Sequence, residues 1–187
     1  MVKKNASVFI SGYGSNLRTL ILNSRNHNFP INIKLVVCNN INARGILHAK
    51  KNSIPYLIVN TKRRNFENTI LKEIKKNKIS LIILAGYMKI ISKNFINKYG
   101  KKIINIHPSL LPKYKGLNTY ERALKNNEKK AGCTVHFVNE KIDNGKSILQ
   151  KSFFINKGDP VKVLKEKTQK LEHKAFAEAI IKMFRYI

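Results

Sequence analysis

The sequence predicts an α/β fold: a Rossmann-like, mostly parallel sheet with helices on both faces. Three observations carry that expectation. Short apolar runs alternate with segments of helical period through the first hundred residues, the pattern of a parallel sheet with right-handed crossovers. Ser80-Leu81-Ile82-Ile83-Leu84-Ala85 is apolar almost without interruption, as a strand covered on both faces must be. The first strand pattern runs directly into a glycine-containing turn and a helix.

Taken in order, Ala6-Ser7-Val8-Phe9-Ile10 is the first strand. Ser11-Gly12-Tyr13-Gly14-Ser15-Asn16 turns the chain, and Leu17-Arg18-Thr19-Leu20-Ile21-Leu22 suits a helix that Ser15 or Asn16 can cap. Such a turn at a helix N-terminus offers free N–H groups and a favourable dipole to an anion. The third glycine of a dinucleotide fingerprint is absent, since Thr19 and Leu20 lie there, so the turn fits one phosphate. Ile31–Cys38 is the second strand, Ala43–Lys51 a helix and Pro55–Val59 the third strand. Arg63 opens a helix with Phe66, Ile70, Leu71 and Ile74 at helical spacing. Gly86 to Ser92 forms the loop after the fourth strand, with Ser92 as a cap for the helix of Phe95 and Ile96. Ligands of such sheets bind beyond the carboxyl ends of the strands, so the loops after Ile10, Ala85 and His107 are expected near one another.

A strand ending at Ile103-Ile104 leads into Asn105-Ile106-His107-Pro108-Ser109-Leu110-Leu111-Pro112. The two prolines end regular structure. Asn105 and His107 stand two apart, so alternation points both to one face. An amide beside an imidazole at a strand's carboxyl end suits acyl transfer: one group can bind an oxyanion, the other can exchange a proton. Thr119 is placed to cap a helix over 120–126. Thr134–Val138 and Ser147–Gln150 are strands around the turn Asn139-Glu140-Lys141-Ile142-Asp143-Asn144-Gly145. Asp143 beside Asn-Gly is common turn chemistry, and it is also a carboxylate that could pair with His107. Asp159 and Pro160 start a long helix whose core stripe is Val161, Leu164, Thr168, Leu171 and Ala175, with Gln169, Glu172 and His173 off it.

The chain has 187 residues, 43% of them apolar, enough for one well-filled domain. No run is long and apolar enough to span a membrane, and the first strand begins so early that no targeting peptide is expected. Cys38 and Cys133 are far apart and read as reduced, buried thiols of a cytoplasmic protein, and no metal site is expected. The net charge of +27 suggests polyanion binding, but the lysine pairs are scattered along the chain. A dedicated nucleic-acid surface is therefore disfavoured, although the charge should speed capture of anionic small molecules.

Four motifs in order resemble the folate-dependent formyltransferases, and within them the phosphoribosylglycinamide formyltransferases of purine synthesis. They are Ser11 to Leu17, Leu84 to Ile90, Asn105 to Tyr114, and His136 to Asp143. The resemblance covers nearly the whole chain and implies a single formyltransferase domain over 1–187, with a phosphate-binding half over about 1–100 and a catalytic, folate-binding half over about 101–187. It implies transfer of a formyl group from 10-formyltetrahydrofolate, without a metal, to the glycyl amine of phosphoribosylglycinamide. Asn105, His107 and Asp143 would be catalytic. Gly14, Ser15, Asn16 and Glu172 would hold the phosphoribosyl substrate. Arg63, Met88, Lys89, Ile90, Ile91, Asn105, Asn139, Glu140, Lys141, Ile142 and Asp143 would hold the folate. The expected partners are these two small molecules, with the protein a monomer or homodimer.

Related formyltetrahydrofolate deformylases carry a regulatory domain in front, and methionyl-tRNA formyltransferases carry an Arg-Gly element after Leu-Leu-Pro and a further C-terminal domain; neither feature is expected here. The chain departs from the family pattern at Lys115, where a proline is usual, at Asn118 and Tyr120, where histidines are usual, and at Asp143-Asn144-Gly145-Lys146, where Asp-Gly-Gly-Pro is usual.

Overall fold

The computed structural model describes residues 2–184. Two compact units divide the chain, Met1–Ile104 and Asn105–Ile187. Unit 1 alternates strand and helix: β1 (Lys4–Ile10), α1 (Ser15–Ser24), β2 (Ile31–Cys38), α2 (Ile46–Lys51), β3 (Tyr56–Ile58), α3 (Phe66–Lys76), β4 (Leu81–Leu84) and α4 (Lys93–Tyr99). Its strand order is β3-β2-β1-β4. The β1/β2, β1/β4 and β2/β3 pairs are all parallel. β5 (Lys102–His107) crosses the unit boundary.

β4 is buried along its whole length, as its unbroken apolar sequence requires. Phe9 of β1 is fully buried, and its ring meets Tyr87 edge-on at 5.3 Å and Phe95 at 6.4 Å. Such edge contacts add about 0.5–1.5 kcal/mol each beyond area burial. This aromatic cluster seats the loop that follows β4.

Unit 2 continues β5 into α5 (Thr119–Lys125), β6 (Lys130–Phe137), β7 (Ser147–Phe154) and α6 (Val161–Phe184), with strands ordered β5-β6-β7 and β6/β7 antiparallel. α6 lies on β6 and β7, burying Leu164, Thr168, Ala175, Phe176, Ala179 and Ile180. Val161 and Leu171 of the predicted stripe are only half-buried. Unit 1 thus has the parallel α/β architecture that periodicity predicts, and unit 2 carries an antiparallel strand pair under a long helix.

Four local expectations differ. Neither Ser15 nor Asn16 caps α1; Gly14 takes that position at φ 73, with no side-chain hydrogen bond at the cap. Thr119 is the first residue of α5 and is buried, with left-handed Asn118 at the cap position. Arg63 precedes α3 rather than opening it, because Asn60 and Arg63 close a turn first. β6 and β7 are also longer than predicted, since their pairing starts at Lys130 and runs to Phe154. No helix among the described residues is long and apolar enough to cross a membrane.

Candidate active site

In unit 2, β5 delivers Asn105 and His107 and the β6–β7 turn delivers Asp143. The His107 ring is buried, with Nδ1 3.2 Å from Asp143 Oδ2 and Nε2 2.8 Å from the Tyr114 carbonyl. A carbonyl and a carboxylate both only accept, so both ring nitrogens face acceptors. Asp143 sits at φ 46, a conformation that Asp tolerates in turns and that aims its carboxylate inward. The turn conformation and the contact with His107 coincide at this one residue.

Asp143 has further partners. The Gly116 N–H donates to Oδ2 at 2.9 Å, and His136 Nε2 is 3.7 Å from Oδ1. Burial pushes the carboxyl up, but His136, the Gly116 N–H and the charge of His107 outweigh it and hold it below the usual carboxylate range. Asn105 Nδ2 faces His136 Nε2 at 3.2 Å, and His136 Nδ1 faces the Phe137 carbonyl at 2.8 Å. The polar chain is therefore Asn105–His136–Asp143–His107. Asn105 and Asp143 are linked through a histidine that sequence reasoning treated only as the start of a motif. Its one sequence signal is His136 at the end of the β6 pattern, just before the acidic turn.

The loop after β5 is pinned to β6. The Thr134 hydroxyl donates to the Ser109 carbonyl at 2.7 Å and accepts from the Leu111 N–H at 3.0 Å. Gln150 Nε2 of β7 donates to the Leu111 carbonyl at 2.8 Å. In the β6–β7 turn, the Asn139 side chain accepts from the Lys141 N–H at 3.0 Å and donates to the Asn144 carbonyl at 3.3 Å. Glu140, Lys141 and Ile142 are exposed. Glu172 on α6 is half-buried. Burial, then the charge of Glu172, pushes the Cys133 thiol up to about 12 and opposes ionisation of Tyr120 as well.

Unit 1 contains the glycine turn. Gly14 and Gly45 touch so closely that a Cβ on Gly14 would stand 2.7 Å from the Gly45 Cα. The Gly45 N–H donates to the Gly12 carbonyl at 2.9 Å. Gly45 thus props the turn from the start of α2, and no local pattern around it announces this. Gly14 and Asn16 are buried and Ser15 is half-buried. The Ser11 hydroxyl donates to Asn39 Oδ1 at 2.6 Å and accepts from the Met88 N–H at 2.8 Å. The loops after β1 and β4 therefore meet, as expected of adjacent parallel strands. In the second loop Met88, Lys89 and Ile90 are exposed and Ile91 is buried. Ser92 caps α4 by accepting from the Phe95 N–H at 3.0 Å, while Glu67 accepts from the Ser92 N–H at 3.0 Å. Arg63 lines a 460 Å³ cavity with Asn39, Ile41, Ile58, Asn60 and Phe66.

Residues 4–180 match the family model for formyl transferases. The chain belongs to the formyl transferase family. Among its relatives, the phosphoribosylglycinamide formyltransferase of Haemophilus influenzae is 38% identical, covering 97% of this chain and 87% of that protein. The enzyme of the same name from Bacillus subtilis is 36% identical, covering 95% and 93%. The human trifunctional purine biosynthetic protein adenosine-3 is 40% identical over 95% of this chain, which spans only 18% of that longer protein. The crystal structure of the Brucella melitensis phosphoribosylglycinamide formyltransferase is similar at a TM-score of 0.92 and 36% identity, covering 97% of this chain and 95% of that one.

Proposed function

We propose that the protein transfers the formyl group of 10-formyltetrahydrofolate to the glycyl amine of phosphoribosylglycinamide. The observation that carries this reading is the Asn105–His136–Asp143–His107 chain, in which each polar group faces a partner that defines its orientation. Names of full-length relatives support the choice of substrates.

The amine nitrogen attacks the formyl carbon and the carbonyl π pair moves onto oxygen. The Asn105 amide lies with Nδ2 3.2 Å from His136 Nε2, and an amide N–H is offered to that oxygen. His107 supplies the second donor. Asp143, held ionised, keeps the ring in place. Collapse of the intermediate reforms the carbonyl and expels the folate nitrogen, which takes the proton released by the attacking amine. Each oxyanion donor is worth about 3–4 kcal/mol in sites of this kind.

Gly14, Ser15 and Asn16 bind the substrate phosphate, with backbone N–H groups at the start of α1 as donors. Glu172 contacts the ribose or glycyl part. Arg63, Met88 to Ile91, Asn105 and Asn139 to Asp143 hold the folate. The test mixes the protein with both substrates and follows tetrahydrofolate release. The reading requires release that depends on the amine substrate and is lost in His107→Ala. Release without the amine would assign a deformylase instead.

A further inference from the structure

Three consecutive residues after β5 each hold a different part of the catalytic constellation. The Tyr114 carbonyl accepts from His107 Nε2 at 2.8 Å, and the Gly116 N–H donates to Asp143 Oδ2 at 2.9 Å. Between them, Lys115 Nζ donates to Oδ1 of Asn144, the residue that follows Asp143. These bonds survive only if the 114–116 backbone stays where it is. That backbone belongs to neither helix nor strand, and Tyr114, Gly116 and Asn118 all have positive φ, at 57, 79 and 56. Left-handed residues outside a regular element need an external restraint.

Arg122 of α5 provides it. Its Nη1 donates to the Lys115 carbonyl at 2.7 Å and the Leu117 carbonyl at 3.3 Å, and its guanidinium stands 5.1 Å from the centroid of the Tyr114 ring. Arg122 therefore grips both sides of Gly116 and the ring of Tyr114. We propose that Arg122 and Lys115 are positioning residues for formyl transfer: Arg122 fixes the 114–117 strap, and Lys115 ties the strap to the Asp143 turn through Asn144. This inference rests on the reading that His107 and Asp143 carry out the transfer.

Lys115, Arg122 and Asn144 are all exposed, and bonds of exposed groups add little to global stability. Geometry is another matter, because a misplacement of about 1 Å at reacting groups can cost 100-fold in rate. The strap should thus affect kcat and leave the fold alone.

The test compares Arg122→Ala, Lys115→Ala, Asn144→Ala and the Lys115→Ala/Asn144→Ala pair with wild type. Lys125→Ala, an exposed cation on the same helix, is the control for lost charge. Arg122→Ala is expected to lower kcat about tenfold with both KM values within about twofold. Lys115→Ala and Asn144→Ala should each lower kcat about threefold, and the pair should be no worse than either alone, because they break one contact. Nitrogen-15 histidine spectra give a readout independent of turnover: the His107 Nε2 proton, bonded to the Tyr114 carbonyl, should shift or broaden in Arg122→Ala but not in Lys125→Ala. A wild-type protein without formyl transfer would overturn the functional reading and leave this spectrum to decide the strap. Arg122→Ala matching Lys125→Ala in kcat and spectrum would overturn the role of Arg122, and multiplicative losses in the pair would overturn the role of Lys115.

Discussion

His107 is 5% exposed, and the groups facing its two ring nitrogens can only accept. Removing either the ring or its carboxylate should spare the fold and strip the reaction. His107→Ala and Asp143→Asn are each expected to lower turnover by about 100- to 1000-fold, the usual cost of losing an oxyanion donor or its support, with unchanged circular dichroism. Asp143 also has a pH signature. Its folded carboxyl lies below its unfolded value near 3.9, so its stabilisation is complete above about pH 4 and is lost as pH falls through the folded value. Urea titrations of wild type and Asp143→Asn should therefore differ most near neutrality and converge in strong acid; a gap that widens toward acid would contradict the assignment. At this scale the sequence was most readable where chemistry and backbone coincide. Asn105, His107 and Asp143 stand out by residue type and position. His136 and Arg122 do not, because their partners lie in other elements and only the fold supplies the pairing.

The β6–β7 turn shows what an element contributes. Gly145 passes so close to β6 that a Cβ there would stand 1.6 Å from the Phe137 carbonyl oxygen. Gly145→Ala must shift the turn that carries Asp143, so it should lower both melting temperature and kcat, a loss measurable by thermal scan and steady-state assay. Ser11 has the same standing in unit 1. Ser11→Ala removes the acceptor for the Met88 N–H and should raise the KM for folate several-fold with kcat nearly kept. Strands and helices were legible from period and length: a continuous apolar run gave β4, and helical spacing of apolar residues gave α3 and α6. Caps were less legible. Ser15 and Thr119 have the right chemistry, but Gly14 and Asn118 take left-handed conformations and occupy the cap positions first. Gly45 was silent because its value lies in contact with Gly14, 31 positions earlier in the chain.

Across the whole molecule the dominant property is a net charge of +27. A field of that size attracts anions over a distance that salt shortens to about 8 Å at physiological ionic strength. For two anionic substrates, kcat/KM should fall as salt rises from about 0.01 to 0.15 M while kcat stays level; a level kcat/KM would assign the charge no role in capture. Charge alone was the weakest guide to function, since scattered lysines name no partner. Order was the strongest: four motifs, each ambiguous by itself, fall in one sequence along the chain and in the elements where the fold needs them. The central claim is that His107 drives an amine-dependent formyl transfer. The measurement that tests it most directly is tetrahydrofolate release from 10-formyltetrahydrofolate, with and without phosphoribosylglycinamide, for wild type and His107→Ala. Release only with the amine, and only from wild type, is the predicted result. Equal release from His107→Ala, or release that ignores the amine, would contradict it.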